Sequence, residues 1–134
     1  MIEKEFVPHT EALALKELGF YKAPVFGFYY TLDGVKWKFA LTEEFNRIDN
    51  EFNIGGKFTA LAPTYSQAFK WFREKYKLSG EPQSHQFYFS YYIIYNTLGE
   101  NKCKNNEHGF DSYEEAELAC LIKLIETVKK NESN

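Results

Sequence analysis

The sequence is poor in cysteine, proline and basic excess, and it has no long apolar run. Two cysteines, Cys103 and Cys120, are too few for a disulfide framework in 134 residues. No stretch approaches the about 18 apolar residues that a membrane span needs. The first residues, Met-Ile-Glu-Lys-Glu-Phe, lack the apolar segment of a secretory leader. These absences set the expectation of a cytoplasmic protein with free thiols and no membrane partner. Lys and Arg number 16 against 19 Asp and Glu, a net charge of −3. Such a balance does not favour a protein that lives on phosphate backbones.

What is abundant is aromatic. Thirteen Phe, ten Tyr and two Trp make up 19% of the chain, within a hydrophobic fraction of 44%. Each aromatic buries a large area, so a short chain can still build a core. The length fits one domain, expected over 1–130, with 131–134 as a frayed tail.

Three segments show helical spacing. Residues 10–18 read Thr-Glu-Ala-Leu-Ala-Leu-Lys-Glu-Leu, with Gly19 placed for a left-handed C-terminal cap. Residues 65–78 follow Pro63 and a Thr64/Gln67 capping pair, with Ala68, Phe69, Phe72 and Tyr76 as the apolar stripe and Trp71 on its flank. There Ser79-Gly80 reads as the helix end. Residues 113–130 open on a Ser112/Glu115 capping box and keep Leu118, Leu121, Ile122, Ile125 and Val128 on one stripe. Glu114, Glu115 and Glu117 stand at its start and Lys129 and Lys130 at its end, matching the helix dipole at both.

Between the helices the period falls to two. Residues 25–31 and 35–40 flank Leu32-Asp33-Gly34, a hairpin signal. Residues 57–61 read as a strand running into Pro63. The clearest strand is 86–95, with Phe87, Phe89, Tyr91, Ile93 and Tyr95 on one face and Tyr88, Ser90, Tyr92 and Ile94 on the other. Placed at a sheet edge, so aromatic a strand would need covering, which gives an expectation of a homodimer. Phe45, Ile48 and Phe52 could mark a short helix within 42–56, against the resistance of Asn46, Asp49, Asn50 and Asn53. Residues 100–107 are polar and read as a loop. The fold expected is α+β, with antiparallel aromatic-rich sheets packed against three helices.

The helix starts echo one another: His9-Thr10-Glu11-Ala12, Tyr65-Ser66-Gln67-Ala68 and Tyr113-Glu114-Glu115-Ala116. They fit either two helix-plus-strand units with a closing helix, or the short residue menu that helix caps draw on.

Motifs of chemistry are sparse. Gly55-Gly56-Lys57 resembles the end of a phosphate loop, but Glu51 and Phe58 stand where Gly and Ser or Thr belong, so it reads as a turn. Cys103 and His108, even with His85 and Cys120, lack the paired spacing of a metal site. There is no Gly-x-Ser-x-Gly, neither cysteine has a histidine partner in sequence, and the paired carboxylates Glu43-Glu44 and Glu114-Glu115 read as helix-start complements. No cofactor and no catalytic residue is therefore assigned, and an enzyme of unknown type remains only an alternative. The candidate binding residues are the basic helix face Lys70, Arg73 and Lys77, with the outward aromatics Tyr88 and Tyr92.

Two resemblances bear on function. From Thr64 onward, the order helix, strands, helix resembles the double-stranded RNA-binding domain in topology. That family binds through a lysine cluster opening its final helix, where this chain has Tyr113, Glu114 and Glu115. The second rests on three phrases: Glu5-Phe6-Val7-Pro8 with Ala12 to Phe20, Ala62-Pro63 with Gln67 to Tyr76, and Tyr113 to Leu121. Together they resemble small proteins of phages and prophages of Bacteroidetes-type bacteria. This resemblance brings no site residues. It implies a phage accessory protein acting in the host cytoplasm. Together with the aromatic excess and the lack of catalytic motifs, it sets the expectation of a non-enzymatic protein binding a host protein, for instance in counter-defence, or a small ligand. RNA binding through the basic helix face is the alternative.

Overall fold

The computed structural model describes residues 5–20, 27–33, 36–42, 59–97 and 100–132. They form an α+β protein of antiparallel strands and helices, and the chain divides into two compact units, 1–64 and 65–134. The 42–56 segment and its candidate helix lie largely outside the described residues.

In the first unit, α1 (His9–Glu17) starts behind Pro8, whose carbonyl accepts the Ala12 amide at 2.8 Å. Its C-terminus is a Schellman cap. The Gly19 amide donates to Lys16 O and the Phe20 amide to Leu15 O, with Gly19 at φ +100°. The glycine therefore does what its position in the sequence predicts. Strands β1 (Gly27–Asp33) and β2 (Lys36–Thr42) form the expected hairpin, and β3 (Thr59–Ala62) pairs with the other side of β1. The Asp33↔Lys36 pairing leaves a two-residue connection. Helix α1 packs against β3 through an interior that includes Val7, Ala12 and Leu15. The Val7 amide bonded to Pro63 O at 2.9 Å and the Phe6↔Thr64 bridge tie the leading segment to the end of β3.

The second unit runs α2 (Tyr65–Tyr76), β4 (Leu78–Ser84), β5 (Phe89–Thr97), β6 (Glu100–Phe110) and α3 (Tyr113–Glu132). Its sheet has the order β4-β5-β6. Helix α2 buries Tyr65, Ala68, Phe69 and Phe72, an i, i+3, i+4, i+7 stripe. It stops at Tyr76, earlier than expected, because Lys77 turns to φ +59° and the chain enters β4 at once. Leu-Ser-Gly-Glu-Pro-Gln-Ser has the composition of a turn, yet it pairs with β5 along its whole length. Pro82 is tolerated because β4 is an edge strand. Gly80 is required by packing. A Cβ there would lie 2.8 Å from both Cys120 Sγ and Leu124 Cδ1.

Residues 100–107 are strand rather than loop. β6 is a polar edge strand, and its ladder with β5 shifts register at Phe89/Ser90 and Ile93/Ile94. Gly109, at φ +92°, is the extra residue of the first shift. The aromatic strand starts at Phe89, three residues later than its alternation suggests. It is central, hydrogen-bonded on both sides. The homodimer expectation rested on its being an edge, and that basis is gone.

Helix α3 is capped as its sequence predicts. The Glu115 amide donates to Ser112 Oγ at 3.1 Å, and Glu115 Oε2 accepts from the Asp111 amide at 3.1 Å. The return bond thus falls one residue outside the usual box. The buried stripe is Ala116, Cys120, Leu121, Leu124, Ile125 and Val128. Ile122, expected in the stripe, is exposed instead. The small Ala116 and Cys120 carry part of the stripe, and Cys120 lies against the β4 backbone at Gly80. The helix continues through Glu132 and so takes in residues 131 and 132.

Candidate functional site

The site is built on the turn between β4 and β5. Ser84 pairs with Phe89, and the His85 amide donates to the Tyr88 carbonyl at 2.9 Å. Residues 85–88 connect the two strands, with Gln86 and Phe87 at the bend. Phe87 is 87% exposed, the most exposed large hydrophobic side chain among the described residues.

The side chains behind it are fixed. The His85 ring stacks on Tyr88 with centroids 4.4 Å apart and planes at 15°. His85 Nε2 lies 2.7 Å from Ser90 Oγ. His108, across the ladder on β6, meets Tyr88 edge-on at 6.0 Å. Tyr88 is thus held between two imidazoles while remaining 41% exposed. At the base of the hairpin, Phe89 meets Tyr113 edge-on at 6.5 Å, which brings the start of α3 beside the loop.

The surroundings are acidic. No Lys or Arg occurs in 78–101 or in 105–122, whereas Glu107, Asp111, Glu114, Glu115 and Glu117 fall in the second stretch. Burial, and then the negative charge of Glu114, hold the Glu117 carboxyl above its ordinary range. Burial and the Glu107 carboxylate, which accepts its hydrogen bond, push the Tyr91 hydroxyl well up.

Of the residues singled out from sequence, Tyr88 belongs to this tip. Tyr92 is half-buried in the middle of β5, in register with Glu81 on β4 and Asn106 on β6. Lys70, Arg73 and Lys77 are exposed on and just beyond α2, and Lys70 forms an ion pair with Glu74 at 3.8 Å. Lys77 precedes the first residue of β4 and Tyr88 follows its last, a separation on the order of 20 Å along the strand. These two residues therefore do not share a patch. His85, Phe87, Ser90, His108 and Tyr113 were missed as a group. Their one sequence signal was the polar run Ser84-His85-Gln86, which breaks the alternation just before Phe87.

The chemistry available here is contact chemistry. His85 and Ser90 stand at the distance of a base and a nucleophile, but Ser90 is only 3% exposed, so its hydroxyl orients the ring instead of meeting a substrate. Cys120 is a free, fully buried thiol, pushed up to about 12 by burial, and is inert as a nucleophile. Among the described residues no group of three or more His, Cys, Asp or Glu is placed to hold a metal ion. No helix among them is long and apolar enough to cross a membrane. Comparison with protein families, with curated proteins and with solved structures finds no match.

Proposed function

We propose that this chain is a non-enzymatic binding protein whose contact surface is the β4–β5 tip, with Phe87 as its anchor. The observation that carries the proposal is the near-complete exposure of Phe87 on a four-residue connection whose neighbouring side chains are already fixed. An apolar ring displayed on an ordered turn loses little conformational freedom on binding. Aromatic anchors of this kind dominate interface energetics. The resemblance of three phrases to small phage and prophage proteins supports a host protein as the partner, met in the cytoplasm of an infected bacterium, with interference in defence as one outcome.

The second reading is RNA binding. The α-β-β-β-α order of the second unit favours it, and the acidic start of α3 opposes it. Pull-down from lysate of a Bacteroidetes-type host, with the wild type and Phe87→Ala side by side, tests the first reading. Truncating the anchor costs at least about 2 kcal/mol, roughly 30-fold in affinity, so the specific partner should be lost. A partner held equally by both proteins, or none recovered by either, refutes the tip as the contact. A salt-sensitive gel shift with double-stranded RNA would move the conclusion to the second reading.

A further inference from the structure

The charge around the tip restricts what can sit on it, and this step rests on the binding reading above. We infer that the partner is a protein surface with an apolar socket for Phe87 bordered by Lys or Arg side chains. The Phe89–Tyr113 contact sets the first turns of α3 beside the hairpin, and with them Asp111, Glu114, Glu115 and Glu117. The positive end of a helix dipole is worth about half a charge. It offsets only a fraction of four carboxylates.

The unit's own cations stand elsewhere. Lys123, the first on α3, is ten residues beyond Tyr113, about 15 Å along the axis. Lys102 pairs with Tyr95, which in turn pairs with Leu78, so it lies at the end of the sheet that Lys77 adjoins. The tip is therefore apolar at its point and anionic along its flank. Nucleic acid and anionic lipid would meet like charge there, whereas a cationic protein surface would be attracted to it.

NMR titration of the 15N-labelled full chain distinguishes the cases. The probes are an amphipathic Lys/Leu peptide, the same peptide with Glu for Lys, and single-stranded oligo-dT. The Lys/Leu peptide alone should shift the amides of 85–89 and 111–117. Phe87→Ala should weaken that binding about tenfold or more, and the pair Glu114→Gln with Glu117→Gln several-fold. Added salt should weaken it further. Each variant's own spectrum shows whether it is folded. Phe87-dependent shifts at these amides with the Glu/Leu peptide or oligo-dT overturn the cationic partner while leaving the tip as a contact. A Phe87-dependent dimer in sedimentation replaces that partner with a second copy. No shift at 85–89 with any probe also overturns the inference, and the Phe87→Ala pull-down then judges the binding reading separately.

Discussion

Lys77 and Gly80 stand three residues apart, and neither can exchange its role with the other. Lys77 occupies the left-handed region at φ +59°, where a side chain costs roughly 1 kcal/mol that glycine does not incur. Gly80 has no such dihedral. Its lack of a Cβ lets β4 lie against Cys120, Leu124 and Phe69. The glycine of this segment is thus placed for packing, and the one-residue passage from α2 to β4 is left to a lysine. Lys77→Gly is expected to stabilise the protein by roughly 1 kcal/mol, read as a higher urea midpoint at unchanged slope. An unchanged or lower midpoint would show that the lysine side chain contributes more than its backbone conformation costs.

Among the elements, α3 shows most directly how a local signal becomes structure. Ser112 accepts the Glu115 amide, one of the donors that a helix start leaves without a partner. Ser112→Ala should destabilise the protein by about 1 kcal/mol, and Ser112→Asp should restore most of that loss. Equal midpoints for the alanine variant and the wild type in thermal melts would mean that packing alone sets where α3 begins. The three described helices were all legible, though α1 starts behind Pro8 with no side-chain cap bond and was marked instead by its Ala and Leu content and by Gly19. Their starts at His9, Tyr65 and Tyr113 coincide with the three echoing phrases. Strands β4 and β6 were not legible. The first has the composition of a turn and the second is polar, and each is held by backbone pairing to β5, a long-range cause that a local pattern does not carry. The same limit hid the site. Phe87 continues the alternation of Phe89, Tyr91 and Ile93, two of which, Tyr91 and Ile93, are fully buried, so period alone assigns it to the core. The strand begins only at Phe89, so Phe87 falls in the 85–88 connection, where that rule does not apply.

At the scale of the whole molecule, the described residues of each unit open with a helix and go on to three strands, the order that the echoing phrases suggest. The sheets do not repeat. The first strand is central in β2-β1-β3, whereas the middle one is central in β4-β5-β6. A copied topology therefore does not account for the echo, and neither does a shared side-chain cap, because α1 starts behind Pro8 without one. The second unit also has the parts of an independent domain. Phe69 and Phe72 from α2, Leu78 from β4, Tyr91 and Ile93 from β5, and Cys120, Leu121, Leu124 and Val128 from α3 are all buried. The hydroxyl of Tyr76 bonds Glu132 Oε1 at 3.3 Å and links the C-terminal ends of both helices. A core of this size supplies at most about 3–5 kcal/mol of net stability. Residues 65–134 alone are accordingly expected to give a helical circular-dichroism spectrum and one cooperative thermal transition. The amide resonances of 85–89 should fall where they do in the full chain, because the contacts that fix the tip come from β4, β5, β6 and α3. A broad, non-cooperative melt would show that the second unit depends on the first. A cooperative melt with displaced tip resonances would show that the fold is autonomous but the ordering of the tip is not.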